Sequence, residues 1–281
     1  MTSDFAQRYG PWALIIGASE GVGAAYALAV AGRGLNVVLV ARRRAVLDEV
    51  ATDIRARTGV RTRTIAVDLT DHDAMDRLAA GTADLDLGMV FYCAGADPVF
   101  EPFLDHPVEV PLAMVHRNCV VPMQVSHHFA GPMRERGRGG LVLVSSGAAL
   151  AGGPNMVAYG ATKAFDMVMA EALWAELHDL GVDVLALVLG LTDTPALRRL
   201  MVRRGTLPAD DPEAPIAGAM TADEVVAEAL ASLTDGPTCF VGEMMRLGAQ
   251  TFATMSRNDA VKMLVQLGAE TMSNTGGAII P

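Results

Sequence analysis

Tyr159 and Lys163 stand four residues apart where a stretch with helical periodicity begins, so both side chains lie on one face, a turn apart. A tyrosine hydroxyl is a poor acid-base group at neutral pH, because its ordinary pKa is about 10. A neighbouring ammonium favours the phenolate and brings that value down. Such a tyrosine can protonate a carbonyl oxygen while hydride reaches the carbon, or take the proton in the reverse direction. Ser145 and Ser146 end the apolar run just before it, and residues 147–157 join the two. A serine hydroxyl beside the phenol can hold the substrate oxygen. Alone, a Tyr-x-x-x-Lys pair is an ordinary helical spacing. Its meaning depends on what lies upstream.

The first apolar run passes directly into a turn with Gly17, Gly21 and Gly23, followed by an alanine-rich helical stretch. Glycines here let the backbone turn sharply and approach a pyrophosphate seated at the positive end of the helix. Glycine clusters also serve ordinary tight turns, so the strand before and the helix after carry the argument. At the end of the second apolar run an acid would hold the ribose 2′-hydroxyl of NAD. The chain has Ala41 and then Arg42, Arg43 and Arg44, with no carboxylate. Arginine binds a 2′-phosphate through forked, charge-assisted hydrogen bonds, so NADP(H) is expected rather than NAD(H). The plain alternative is a solvated basic start to a helix.

Short apolar runs at 12–16, 36–41, 61–67, 87–94, 141–145, 182–189 and 237–241 supply the framework. Several are apolar almost throughout, as strands covered on both faces are. Helical stretches fall between them at 21–33, 44–58, 71–80, 109–136, 156–180 and 222–233. The alternation predicts a doubly wound α/β fold, with about seven parallel strands and helices on both faces. No repeat or long linker divides residues 1–281, so a single domain is expected. Pro122 falls inside the 109–136 stretch and predicts a kink or a break. Residues 193–221 carry Pro195, Pro208, Pro212 and Pro215 among charges, and read as a lid at about 191–220. The tail at 273–281 is expected either to be disordered or to dock on a neighbouring subunit.

The net charge of −10 argues against nucleic acid as a partner. No segment reaches the roughly 18–20 uninterrupted apolar residues of a spanning helix, and 1–10 lacks an apolar signal core, so a cytoplasmic protein is expected. Cys93, Cys119 and Cys239 are scattered, and adjacent His127 and His128 point about 100° apart on a helix. No metal site is expected.

Taken together, these motifs resemble the short-chain dehydrogenase/reductase family in its compact Rossmann-type form, over nearly the whole chain. The resemblance implies a catalytic set of Asn118, Ser146, Tyr159 and Lys163. Ser146 is preferred over Ser145 because it lies 13 residues before Tyr159. It also implies cofactor contacts from Gly17, Ser19, Glu20, Gly21, Val22 and Gly23, from Arg42 and Arg43, and from Asp68 and Leu69 beside the adenine. Cys93, Ala94 and Gly95 stand at the family's Asn-Ala-Gly, and Gly190, Thr192 and Thr194 at its nicotinamide and phosphate contacts. Tyr159 and Lys163 serve the cofactor as well. Three positions depart from the family pattern: Ile16 for Thr, Cys93 for Asn and Leu189 for Pro, the last expected to loosen the loop into the lid.

A weaker resemblance, to the hydroxysteroid dehydrogenase and long-chain 3-oxoacyl reductase branch, implies a bulky, apolar carbonyl or alcohol substrate. Met201, Met220, Met244, Met245 and Met255 either line its pocket or fill the core. The main competing reading is a non-catalytic NADP(H)-binding redox sensor, against which the intact set of four weighs. Apolar residues on several faces of 156–180 predict a homodimer or homotetramer.

Overall fold

The computed structural model describes residues 4–97 and 99–273. The first half runs α1 (Asp4–Tyr9), β1 (Trp12–Ile16), α2 (Gly21–Ala31), β2 (Asn36–Ala41), α3 (Arg44–Thr58), β3 (Thr62–Ala66), α4 (Ala74–Thr82) and β4 (Leu87–Tyr92). The centre follows with α5 (Glu109–Val115), α6 (Val121–Arg136), β5 (Gly139–Ser146), α7 (Val157–Leu177) and β6 (Val182–Leu189). The chain continues with β7 (Thr192–Asp193), α8 (Pro195–Arg203), β8 (Met220–Thr221), α9 (Ala222–Ala231) and β9 (Thr238–Phe240). It closes with α10 (Glu243–Thr254) and α11 (Arg257–Ser273). All but the first residue of the 273–281 tail lies outside the described residues.

Seven strands form one parallel sheet in the order β3-β2-β1-β4-β5-β6-β9. This is the doubly wound α/β architecture that the alternation predicts. Every residue of β1 and β4 is buried, because helices cover both faces. Along β1 and β2, residues 13, 15, 37 and 39 pack on one side against α2, α3 and α9, through Tyr26, Val30, Leu47, Ile54 and Val226. The intervening residues 12, 14, 16, 38 and 40 pack on the other against α4, α6 and α7, through Leu78, Val125, Phe129, Ala170 and Leu177. The period of two in the strands thus makes two cores from one sheet.

Strand order reverses between β1 and β4, and the crevice outside their carboxyl ends is the usual ligand position in such sheets. Ile16 pairs with Tyr92 at that edge, so Gly17 and Cys93 leave the sheet side by side.

The break expected at Pro122 is present, and two further details depart from the sequence expectation. The 109–136 helix is interrupted by a π-helical turn at His116–Val120, where Val121 N–H bonds to the His116 carbonyl. Pro122, having no N–H, sits just past that turn, so the break falls beside Asn118. Residues 193–221 are more regular than a loop: Thr194 caps α8 with Pro195 in its first turn, and β7 pairs with β8. Leu189 stays in the ladder opposite Ser146, keeping β6 regular to its last residue. At the start of the chain, α1 is tied to β6. Arg8 donates two hydrogen bonds of 2.7 Å to Asp183, and the Tyr9 hydroxyl donates a third of 2.6 Å. Among the described residues no helix is long and apolar enough to cross a membrane.

Candidate active site

The glycine turn is shaped by contacts that a side chain would block. Gly17 and Gly21 have φ of +93° and +57°. A Cβ on Gly17 would lie 2.8 Å from the Ala94 amide nitrogen, and one on Gly23 only 2.1 Å from the Gly17 carbonyl oxygen. The turn is therefore pressed against Cys93 and Ala94 and against the first turn of α2. Val22 is buried and Ser19 half-buried within it. The Thr194 methyl faces Gly21, 3.1 Å from where a Cβ would stand. The Thr194 hydroxyl accepts from Leu197 N–H, and the Thr192 hydroxyl donates to the Gly190 carbonyl at 3.2 Å.

Glu20 does something the sequence did not suggest. Its carboxylate accepts from Arg43 at 2.8 Å and from Arg199 of α8, joining the glycine turn to the 191–220 segment. Burial pushes its carboxyl up, but the two guanidinium groups outweigh that and hold it below the ordinary value. Arg42 pairs with Asp68 at 3.6 Å, and Asp68 also accepts from the Thr70 amide and hydroxyl. Leu69 is buried beside it. Arg42, Arg43 and Asp68 thus cluster at the carboxyl ends of β2 and β3, with Arg42 largely exposed.

The other half of the site gathers at the ends of β4 and β5. Ser145 is buried and its hydroxyl donates to the Lys163 carbonyl at 2.7 Å, which commits it to the fold. Ser146 accepts from Ala148 N–H at 3.3 Å, a role that leaves its proton to donate. This supports the choice of Ser146. Gly160 lets α7 approach the turn after β5, since a Cβ there would stand 2.9 Å from the Ala148 carbonyl oxygen. That contact holds α7 close to the turn that follows Ser146. It was not singled out from the sequence, where Gly160 is one glycine among 28.

Lys163 is 96% buried, with Nζ 6.0 Å from the centre of the Tyr159 ring. It donates to the Val144 carbonyl at 2.8 Å and to Asp166 at 3.0 Å. Asn118 is fully buried and both protons of its side-chain amide are used. Nδ2 donates to the Gly95 carbonyl at 3.2 Å and to the Thr162 hydroxyl at 3.0 Å, while Oδ1 accepts from Arg117 at 3.1 Å. The Asn118 main-chain carbonyl has no i+4 donor, because residue 122 is proline. The π turn has a second consequence, because the Arg117 carbonyl accepts the buried Tyr92 hydroxyl. Burial, which favours the protonated thiol, pushes Cys93 up to about 12 against the opposing Lys163 charge.

A recess beside Tyr159 is lined by Val99, Phe103, Met114, Met156 and Val157, with Asp97, Glu101 and His106 at polar points. It joins the loop after β4 to the segment leading into α7. Phe100 in that loop lies under Arg204, whose guanidinium carbon is 4.4 Å from the ring centre, so the loop touches the far end of α8.

Comparison with known proteins gives a consistent picture. A 7beta-hydroxysteroid dehydrogenase from Clostridium sardiniense is 32% identical over 93% of this chain and 97% of its own length. A second, from Collinsella aerofaciens, is 38% identical over 68% of this chain and 72% of its own. A solved structure concerned with 7beta-hydroxysteroid dehydrogenase stereoselectivity superposes with a TM-score of 0.84 at 32% identity, covering 93% of this chain and 99% of that one. A short-chain dehydrogenase from Sphingobium yanoikuyae, solved with NADPH, reaches 0.74 at 26% identity over 97% and 98%. The family profile described as short chain dehydrogenase matches residues 11–204. The chain belongs to the short-chain dehydrogenase family.

Proposed function

We propose that this protein moves a hydride between NADP(H) and a carbonyl or secondary alcohol on a bulky, largely apolar molecule of the hydroxysteroid type. One observation carries the reading: Lys163 Nζ stands 6.0 Å from the Tyr159 ring centre, with Asn118 bonded to Thr162 of the same helix and Ser146 at the turn that α7 packs against. The cofactor fits this chain. The turn at 17–23 and the amino end of α2 would take the pyrophosphate, Arg42 and Arg43 the 2′-phosphate, and Asp68 and Leu69 the adenine. Cys93, Ala94, Gly95, Gly190, Thr192 and Thr194 would border the nicotinamide half. When bound, NADP(H) supplies or accepts the hydride.

The protein's own groups do the rest. Tyr159 gives its hydroxyl proton to the substrate oxygen, or takes one back in oxidation. Ser146 donates a hydrogen bond to the same oxygen and fixes its position. Lys163 places a positive charge behind the phenol, favouring the transient phenolate. Asn118 braces Gly95 and α7 through its side-chain amide. Residues 1–281 act as one catalytic domain with 191–220 as its lid, and Glu20–Arg199 ties that lid to the phosphate turn.

The substrate class rests on the named relatives. Following NADPH and NADH consumption against ketones from small diketones to ketosteroids and 3-oxoacyl thioesters tests both points. Turnover should favour NADPH and the bulky ketones, and Tyr159→Phe should remove it while cofactor binding persists. Equal turnover in Tyr159→Phe would sink the mechanism.

We also propose a homodimer or homotetramer. Leu112, Met123 and Val168, on α5, α6 and α7, are each more than half exposed, which suits a helical interface between copies of this chain.

A further inference from the structure

Asp166 is a buried acid that the mechanism above does not use. It lies on α7, one turn beyond Lys163, and is only 1% exposed. Further along the same core-facing stripe stand Ala170 and Leu177, the residue types a helix ordinarily turns towards a sheet. Burying a carboxylate there is costly, and an apolar side chain of similar size would pack at least as well. The cost is also incompletely offset. Oδ2 meets Lys163 Nζ at 3.0 Å, but Oδ1 has no hydrogen-bond partner. Packing alone gives no reason for this residue. The other titratable groups facing it are Tyr92 from β4 and Cys119 from the π turn. Both are neutral donors, so Lys163 is the one cation among the groups that face it.

An ammonium has three protons. Val144 takes one at 2.8 Å and Asp166 a second, both from the sheet side, so Lys163 is held from behind with one proton left for the cleft. We propose that Asp166 is a positioning residue for the reaction: it anchors the Lys163 ammonium from behind and offsets part of the positive charge that Lys163 presents to Tyr159. The inference rests on the catalytic reading above. Removing the carboxylate leaves the ammonium uncompensated, makes the phenolate easier to form, and moves the phenol's titration to lower pH.

The chain contains four tyrosines, which makes this measurable without turnover. Burial pushes Tyr9, Tyr26 and Tyr92 well up, and Tyr159→Phe identifies by difference the transition that belongs to Tyr159. The test is an ultraviolet phenolate titration of wild type, Asp166→Asn, Asp166→Leu and Tyr159→Phe, with the pH profile of kcat/KM for ketone reduction on the first three. One phenolate transition should be absent in Tyr159→Phe, and that one is followed in the other variants. In both Asp166 variants it should move down by about half to one pH unit. The alkaline limb of ketone reduction should move by the same amount, since the phenol must be protonated to donate. Asp166→Asn keeps the shape of the side chain, so it carries the test if Asp166→Leu does not fold. Transition and limb both unmoved, with only the melting temperature changed, would overturn the proposal and leave a purely structural ion pair. If no ketone is reduced even by wild type, the functional reading fails, while the phenolate titration still decides the role of Asp166.

Discussion

Replacing Gly95 by alanine tests whether the site depends on atomic placement. Gly95 has φ of +131°, a conformation that costs a residue with a Cβ about 1–3 kcal/mol. The new methyl would stand 2.9 Å from Asn118 Oδ1 and 3.0 Å from Lys163 Nζ. Both neighbours would have to retreat by about half an ångström to reach ordinary contact. Asn118 cannot, being fully buried and held by Arg117, Thr162 and the Gly95 carbonyl itself. Lys163 has the more flexible end, yet Val144 and Asp166 grip it. The displacement therefore falls on the groups proposed to support Tyr159. Misplacement on this scale costs roughly 10- to 100-fold in kcat. Backbone strain separately lowers the melting temperature by several degrees, at about 2–4 °C per kcal/mol for a protein of this order of size. Gly34→Ala is the control, since its φ is +92° but nothing lies within 4 Å of its Cβ position. Steady-state ketone reduction and thermal melting on both variants separate the effects. Both should lose stability, and only Gly95→Ala should lose kcat. A Gly95→Ala enzyme that melts like Gly34→Ala and turns over within twofold of wild type would refute the reasoning.

Arg42→Ala should raise the KM for NADPH by about 10- to 100-fold, the value of one hydrogen bond to a charged phosphate, and leave that for NADH within twofold. Unchanged NADPH affinity would return Arg42 to the status of a solvated helix residue. Glu20 sits below its ordinary carboxyl pKa, so the stability it contributes is present above the unfolded value of about 4.3 and lost as pH falls through the folded one. Melting temperature should therefore fall more steeply in wild type than in Glu20→Gln between about pH 5 and 3, and parallel curves would contradict the latch. Light scattering at micromolar concentration should report a dimer or tetramer, and Val168→Glu should shift it towards monomer. A monomeric wild type would remove the proposed interface.

Much of the fold was legible because its signals are local. The strands at 12–16, 36–41 and 182–189 are short and apolar, and α3 has the bounds its periodicity predicts. Residues 156–180 were readable as a helix for the same reason. Helix α8 had a readable start in Thr194 and Pro195, yet the surrounding prolines and charges spoke for a loop. The π turn could not be read. Pro122 announces a break, but whether the chain kinks or widens into a π turn depends on what Asn118 and Tyr92 require of the carbonyls around it.

The sequence by itself determined the parallel sheet, the glycine turn and the order of Asn118, Ser146, Tyr159 and Lys163, because period, turn chemistry and spacing are properties of neighbours along the chain. Tertiary structure alone decided which groups are already spoken for. Ser145 serves the Lys163 carbonyl, leaving Ser146 at the crevice, and Glu20 holds two arginines, one of them 179 residues away. Asp166, an unremarked acid in a helical stretch, turns inward beneath the ammonium of Lys163. Partnership and burial depend on distances through space, and those exist only once the sheet has brought the ends of its strands together.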